Sequence, residues 1–311
     1  MEKREQYNNE PVLTTEKLTK RYNQKLAVDH VFLSVNKGDI YGLVGRNGAG
    51  KTTLFRMICG LAAPTYGTIT LFGQKGTKVS QRCLSRIGSA IEYPGFYPEL
   101  DAKSNLEYFR ILKGVVKKNA VNEILELVGL SDAGKKKFRD FSLGMKQRLA
   151  IGLALLGDPD LLILDEPING LDPLGIVEVR ELLLELNQKS ITILISSHLL
   201  SELSLIATRY GFLKEGKLVR EIDREELEQQ SRKAFSIKTA ETSRVLNVLE
   251  AMGFKDVQVV SLNEVRIYDH NIDSQEVIET LLKHKVKISQ FSEVGENLEE
   301  YFVSLSQGEE I

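Results

Sequence analysis

An eight-residue segment constrains the fold of this chain more than any other feature of its sequence. Residues 45–52 read GRNGAGKT and fit the pattern G-x-x-x-x-G-K-[ST] at every fixed position. A short apolar run, residues 40–44, stands directly before them, and residues with helical spacing follow. Glycines let the backbone curl so that its N–H groups point at phosphate oxygens, and a helix N-terminus adds positive potential. The segment predicts a strand, a phosphate-binding loop and a helix that together bind a nucleoside triphosphate.

Two side chains of this loop have distinct expected roles. Lys51 supplies a positive charge between the β- and γ-phosphates, and the Thr52 hydroxyl is placed to bind Mg²⁺. The alternative is a glycine-rich turn that binds nothing, and it is disfavoured because every fixed position is filled and both flanks fit. The residues expected to contact ATP are Gly45, Arg46, Asn47, Gly48, Ala49, Gly50, Lys51, Thr52 and Thr53.

A second apolar run ends in two carboxylates. Residues 161–164 read LLIL, and Asp165 and Glu166 follow. Ligands of open α/β sheets bind at the carboxyl ends of the strands, so this pair is expected beside the phosphate loop. Asp165 would hold Mg²⁺ directly or through a water. Glu166 would point in a different direction, which suits a general base for the attacking water. A pair that merely faces solvent is the alternative, and the phosphate loop makes it less favourable.

Length and periodicity predict two domains. The chain has 311 residues, and up to about residue 220 short apolar runs alternate with helical stretches, which is typical of an α/β fold with a mainly parallel sheet. The charged stretch 221–233 is predicted as a short helix and linker. Residues 234–311 have the order strand–helix–strand–strand–helix–strand, with the last strand at 285–290, followed by an amphipathic helix at 298–305. This order predicts a small ferredoxin-like α+β domain.

The composition narrows the classes of function. Lys and Arg total 41 against 43 Asp and Glu, a net charge of −2, so no overall positive field attracts nucleic acid, and no nucleic-acid partner is expected. The two cysteines, Cys59 and Cys83, suit a reducing compartment. The polar start and the absence of any run of about 18 apolar residues predict a cytoplasmic protein that does not span a membrane by itself.

Three further motifs occur in a fixed order. Residues 141–148 read FSLGMKQR, residues 169–173 read NGLDP, and residues 196–198 read SSH. Together with the phosphate loop and the carboxylate pair, this order resembles the ATP-binding subunit of an ABC transporter over roughly residues 12–220. The resemblance implies a P-loop ABC ATPase domain with a helical subdomain that carries residues 141–148. It also implies hydrolysis of ATP to ADP and phosphate, coupled to transport.

The resemblance assigns a role to the motif at residues 141–148. The signature of the family usually reads LSGGQ, and here Ser142 and Gly144 keep the two positions that contact phosphate. Leu143 and Met145 replace its third and fifth residues. From the residues alone, a plain helix N-cap is the favoured explanation of Ser142.

The resemblance also implies partners. In the family, the signature of one subunit closes over ATP held by the loop of a second, so two ATP molecules join a head-to-tail dimer. A homodimer or a paired ATPase subunit is therefore expected, on the inner face of the cell membrane, where it meets separate transmembrane permease subunits. Asp172 resembles the residue of the loop that crosses between the two sites, and His198 resembles the histidine that contacts the γ-phosphate. Tyr22 resembles the aromatic on which adenine stacks.

One position departs from the family pattern. The family usually places a Gln that meets Mg²⁺ and the attacking water where this chain has Glu92. A carboxylate keeps an oxygen for the metal or water, but it adds charge and loses the amide donors. Glu92, the residues PGFY at 94–97 and the variant signature are similar to the subfamily that exports antimicrobial peptides, of the bacitracin-resistance and lantibiotic-immunity type. The alternative is a neutral variation in a generic exporter.

Non-transport ABC ATPases form a second class of function. Chromosome and repair members insert a long coiled coil between phosphate loop and signature, whereas Lys51 and Ser142 here are 142 − 51 = 91 residues apart. Ribosomal members carry two ATP-binding halves, and this chain has one set of motifs. A regulator without turnover is disfavoured by Glu166. The sequence therefore favours the ATPase subunit of an exporter.

Overall fold

The computed structural model describes residues 10–76, 80–91, 95–230, 233–268 and 272–295. The chain divides into two compact units, Met1–Arg224 and Glu225–Ile311. The strands of the first unit are β1 Pro11–Tyr22, β2 Lys25–Asn36, β3 Ile40–Val44, β4 Tyr66–Leu71, β5 Gln74–Gly76, β6 Ile87–Ala90, β7 Leu161–Asp165, β8 Thr192–Ser197, β9 Arg209–Lys214 and β10 Lys217–Asp223. Its helices are α1 Lys51–Ile58, α2 Gln81–Leu84, α3 Ala102–Leu112, α4 Ala120–Leu127, α5 Leu143–Leu155, α6 Pro173–Gln188 and α7 Leu200–Ser204.

A six-stranded sheet in the order β10-β9-β3-β8-β7-β6 forms the centre of the first unit. Strands β9, β3, β8, β7 and β6 are parallel, and β10 pairs antiparallel at one edge. The apolar residues of β3, β7 and β8 are buried, as expected for a parallel sheet that is covered on both faces. The predicted α/β class with a mainly parallel sheet is confirmed. Its register places the ends of β3, β8 and β7 side by side, with Val44 opposite Ser197 and Asp165 opposite Ser196.

A four-stranded antiparallel sheet, β2-β1-β4-β5, accompanies the parallel one. The sequence analysis did not anticipate this sheet, because several register shifts between β1 and β2 interrupt the alternation that marks a half-buried strand. Its inward side chains share one core with the parallel sheet and α1, and this core includes Leu13, Val35, Leu43, Leu54 and Ile163.

The second unit contains α8 Arg224–Gln230, which begins at the last residue of the first unit, then β11 Lys233–Lys238, α9 Thr242–Ala251, β12 Val257–Ser261, β13 Glu264–Ile267, α10 Ser274–Lys283 and β14 Gln290–Gly295. Its sheet order is β12-β13-β11-β14, and every pair is antiparallel. This is the strand order of a split βαβ arrangement. Helices α9 and α10 pack on one face of the sheet, around Ile237, Val245, Leu249, Val265 and Leu281.

Two predicted boundaries differ from the structure. The last strand runs over Gln290–Gly295 and not over residues 285–290, because Lys285 turns in the left-handed region at φ 57° and Val286 is buried beneath the sheet. The predicted linker begins at residue 221, whereas β10 continues to Asp223 because the buried Ile222 pairs with Tyr210. The predicted helix at 298–305 lies outside the described residues. Within the described part of the chain, no helix has the length and apolar character that crossing a membrane requires.

Candidate functional site

The loop between β3 and α1 has a backbone that few residue types tolerate. Gly48 and Gly50 have φ angles of 82° and 112°, in the region that favours glycine. A Cβ atom on Gly50 would lie 2.3 Å from the carbonyl oxygen of Ala27. The loop therefore curls tightly against Ala27 of β2, and α1 begins directly after the loop. Its backbone N–H groups and the helix N-terminus form a site suited to an anion.

Lys51 lies at the centre of the site. Its side chain is buried, and Nζ donates a hydrogen bond to the carbonyl oxygen of Gly45 at 2.6 Å. The same nitrogen lies 3.1 Å from Glu166 Oε1. A buried ammonium group needs a compensating partner, and here a carboxylate supplies it. The structure thus brings the predicted phosphate-binding lysine and the predicted general base into direct contact.

Asp165 receives one hydroxyl on each of its oxygens. Thr52 Oγ1 donates to Oδ2 at 2.5 Å, and Ser196 Oγ donates to Oδ1 at 2.5 Å. Thr52 and Asp165 were expected to share a metal ion, and they are adjacent. Among the described residues, no group of three or more His, Cys, Asp or Glu side chains could hold a metal. A cation at this site would depend on the hydroxyl, the carboxylate and oxygens of a bound phosphate.

Glu166 points away from Asp165, as expected for a residue with a different role. Its backbone lies in the left-handed region at φ 50°, and its N–H donates to Ser196 Oγ at 2.9 Å. Its Oε2 lies 2.7 Å from Nδ1 of His198 and accepts from the backbone N–H of His198 at 3.3 Å. His198 follows β8 directly, so the sheet explains how a residue distant in sequence reaches this carboxylate.

A cavity of about 360 Å³ opens over the loop. Tyr22 stands at its edge, half exposed, with the Lys20 ammonium group 5.0 Å from its ring centroid. Lys25 and Ala27 also line the cavity, and the sequence analysis missed both because no motif marks them. The remaining lining residues were all predicted: Arg46, Asn47, Gly48, Ala49, Gly50, Lys51, Thr52, Thr53 and Glu166.

Three of the residues predicted to bind ATP lie at helix N-termini and not at this cavity. Ser142 caps α5 and accepts from the backbone N–H of Met145 at 3.2 Å, and Gly144 lies in the first turn of the same helix. Asp172 caps α6 and accepts from the N–H of Gly175 at 3.1 Å. None of these three lines the described cavity. Glu92 lies outside the described residues.

Ser196 was not predicted as a site residue. Its side chain is fully buried, yet it contacts Asp165, the predicted metal ligand, and Glu166, the predicted general base. The available signal was a polar residue at the end of a strand whose centre, residues 193–195, is apolar, because buried polar groups require partners.

Burial suppresses ionisation of the cysteine that follows α1. The thiol of Cys59 is almost completely enclosed, and this raises its pKa to about 12. Cys59 therefore stays protonated at neutral pH and acts as a small packing residue behind the loop.

Comparisons with known proteins agree with this geometry. The sequence profile described as ABC transporter matches residues 28–169. The chain is 42% identical to the bacitracin transport ATP-binding protein BcrA of Bacillus licheniformis over 96% of this chain and 98% of that one. It is 41% identical to the lantibiotic transport ATP-binding protein SrtF of Streptococcus pyogenes over 68% of this chain and 90% of that one. The dimeric post-hydrolysis structure of the ATP-binding cassette MJ0796 with ADP and Pi superposes with a TM-score of 0.62, at 25% identity, over 68% of this chain and 98% of that one.

Proposed function

This chain belongs to the ABC transporter ATP-binding proteins, and from that premise we propose that it powers export of an antimicrobial peptide, of the bacitracin or lantibiotic type, through separate membrane permease subunits. The chain is an ATPase of that family. The observation that supports this cargo is the 42% identity to a bacitracin transport protein over 96% of this chain. That span includes the second unit as well as the first.

ATP binding is assigned to the cavity over the phosphate loop. Lys51 and the loop N–H groups would receive the phosphates, because both are positive and already face the same space. The half-exposed ring of Tyr22, at the cavity edge, offers a flat apolar surface for adenine.

The donor set beside the loop supports Mg²⁺ as the metal. Thr52 Oγ1 and Asp165 Oδ2 are 2.5 Å apart, and hydroxyl and carboxylate oxygens suit this hard cation. We assign both residues as its protein ligands, with Glu92 as a third candidate from the sequence. When bound, the ion supplies positive charge for the phosphate oxygens.

Glu166 is assigned as the general base and His198 as the group that orients it. Both oxygens of Glu166 are engaged, one by Lys51 and one by His198. Phosphate oxygens are strong acceptors for an ammonium group, so they would compete with Glu166 for Lys51. Release of Oε1 would leave that oxygen free to accept a proton from the attacking water.

Ser142, Gly144 and Asp172 are assigned to a second nucleotide, held by another subunit. None of the three lines the cavity of its own chain, although Ser142 stands at the N-terminus of a thirteen-residue helix, where an anion is favoured. The superposition with a dimeric cassette supports a dimer. We propose that the two subunits pair head to tail and that ATP completes both sites.

The proposed place of action is the inner face of the cell membrane, at the permease. The named transport relatives support this location. The second class of function, a nucleic-acid, ribosomal or regulatory ATPase, is not favoured, because the similarity to a transport protein covers nearly the whole chain.

The test pairs the chain with a candidate membrane permease subunit. Cells that express both would be challenged with bacitracin and with several lantibiotics, and Glu166→Gln would be compared with the parent. We expect resistance to one of these peptides with the parent and none with Glu166→Gln, which keeps the size of the side chain but not its basicity. Phosphate release by the purified variant should fall by roughly 100-fold or more, with nucleotide affinity retained.

Two results would contradict the proposal at different levels. No resistance to any peptide, with ATPase activity intact in the purified parent, would remove the antimicrobial cargo and keep the motor. Hydrolysis by Glu166→Gln within a factor of about two of the parent would remove Glu166 as the base.

A further inference from the structure

One buried hydroxyl connects the two carboxylate residues of the site. Ser196 lies in β8 directly opposite Asp165 of β7, and its side chain has no exposed surface. Its Oγ accepts a hydrogen bond from the backbone N–H of Glu166 at 2.9 Å and donates one to Asp165 Oδ1 at 2.5 Å. A single side chain thus contacts both residues.

The contact constrains the orientation of the Asp165 carboxylate. Because Ser196 donates to Oδ1 and Thr52 donates to Oδ2, a rotation of the carboxylate plane away from this orientation would break a hydrogen bond to a charged acceptor. Oδ2 is therefore held on the side of Thr52, where the proposed metal ligands meet.

The contact also supports the backbone of Glu166. This residue has φ 50°, a region that residues with a Cβ atom rarely occupy. Its N–H faces two acceptors on Ser196, the hydroxyl at 2.9 Å and the carbonyl oxygen at 3.2 Å. This backbone conformation directs the carboxylate of Glu166 to Lys51 and His198.

We propose that Ser196 is a positioning residue for hydrolysis: its hydroxyl keeps Asp165 aimed at the metal and Glu166 aimed at the water. The inference rests on the roles proposed above for Asp165 and Glu166. Groups that orient the ligands of a metal site typically change metal affinity or activity by 10- to 100-fold when they are removed.

The neighbouring serine provides a matched control. Ser197 is equally buried and lies in the same strand. Among the described hydrogen bonds, its hydroxyl contacts the backbone of Leu199, at 2.9 Å from the N–H and 3.5 Å from the carbonyl oxygen. Ser197→Ala therefore removes a buried hydroxyl of the same size, and this hydroxyl contacts neither Asp165 nor Glu166 in the described hydrogen bonds.

The experiment compares the parent with Ser196→Ala, Ser196→Thr and Ser197→Ala. Ser196→Ala should lower kcat for ATP hydrolysis by roughly 10- to 100-fold. Ser196→Thr keeps the hydroxyl and should recover most of that loss, and Ser197→Ala should hydrolyse ATP as the parent does. Thermal unfolding of each variant would establish that it is folded.

A binding measurement separates positioning from a general structural effect. Mn²⁺ binding in the presence of ADP would be followed by electron paramagnetic resonance, and ADP binding would be measured again in EDTA. Ser196→Ala should lower the affinity for Mn²⁺ by roughly tenfold or more and leave ADP affinity in EDTA unchanged. If the alanine variant does not fold, Ser196→Cys, which keeps the size but donates weakly, should show the same selective loss of Mn²⁺ affinity.

The outcomes distinguish this inference from the proposed function. The role of Ser196 is overturned if Ser196→Ala keeps kcat and Mn²⁺ affinity within a factor of about two of the parent, or if Ser197→Ala loses as much. A parent without metal-dependent ATPase activity, or a Glu166→Gln variant as active as the parent, would instead overturn the proposed function.

Discussion

Gly50 illustrates why the phosphate loop accepts one residue type at this position. Its φ of 112° is unfavourable for any residue with a Cβ atom, and that atom would collide with the carbonyl oxygen of Ala27 at 2.3 Å. Gly73, in the turn between β4 and β5, also has a positive φ, of 77°, but no atom lies within 4 Å of its Cβ position. The two glycines separate the cost of backbone conformation from the cost of steric contact.

We predict that Gly50→Ala destabilises the first unit by more than about 3 kcal/mol, because the clash adds to a conformational cost of about 1 kcal/mol. Gly73→Ala should cost about 1 kcal/mol. Nucleotide affinity should fall for Gly50→Ala alone, because the loop N–H groups must move. Urea unfolding and binding of a fluorescent ATP analogue would measure the two effects. Equal losses for the two variants would contradict the steric explanation.

At the scale of elements, Asn105 organises the segment before α3. This asparagine of α3 is fully buried, and its side-chain oxygen accepts from the N–H of Tyr97 at 2.8 Å. Its amide nitrogen donates to the carbonyl oxygens of Tyr97 at 3.1 Å, Leu100 at 3.3 Å and Asp101 at 3.0 Å. One side chain therefore links four backbone groups of residues 97–101.

The same segment is linked to the chain just before the α5 N-terminus. Glu99 pairs with Arg139 at 2.9 Å and with Lys137 at 3.2 Å. The backbone N–H of Phe138 donates to the carbonyl oxygen of Leu100 at 2.9 Å. Because Ser142 follows three residues after Arg139, Asn105 supports the approach to this cap as well as its own helix.

Asn105→Ala should therefore lower the free energy of unfolding of the first unit by about 2–4 kcal/mol, since it removes four hydrogen bonds made by a fully buried side chain. Hydrogen exchange in residues 97–101 should accelerate in the variant. Asn122→Ala serves as the control, because Asn122 is exposed and its amide contacts only Asn119 among the described hydrogen bonds. Similar losses in both variants would remove the special role of Asn105.

At the scale of the whole molecule, each unit has its own hydrophobic core. The core of the first unit lies between its two sheets and α1, and the core of the second lies between its sheet and α9 and α10. The residues that line the cavity over the phosphate loop extend from Tyr22 to Glu166, so all of them belong to the first unit.

A substitution that truncates a side chain in the core of the second unit should consequently leave nucleotide binding intact. Leu249 of α9 is fully buried, and Leu249→Ala should destabilise the second unit by about 2–5 kcal/mol. Leu282 of α10 is 57% exposed, and Leu282→Ala should cost less than about 0.5 kcal/mol. Hydrogen exchange of residues 233–295 and ADP titration would test both. A loss of ADP affinity in Leu249→Ala would show that the second unit influences the cavity.

The sequence by itself determined the parts of the site whose chemistry is contiguous. The loop at residues 45–52 was predicted with its flanking strand and helix, because its glycines, lysine and threonine act at fixed spacing on one ligand. Asp165 and Glu166 were predicted beside it, because the carboxyl ends of buried parallel strands share one edge of a sheet. The α/β class followed from the alternation of short apolar runs with helical stretches.

Tertiary structure decided the contacts that span long stretches of chain. The hydroxyl of Ser196 reaches Asp165 across 31 residues, and the pairing of Lys51 with Glu166 depends on the order of the strands. The antiparallel sheet β2-β1-β4-β5 and the extension of β10 to Asp223 also depend on pairing with neighbouring strands of the assembled sheets. Local periodicity reports which face of an element is buried, but the identity of the neighbour is set only when the sheets assemble.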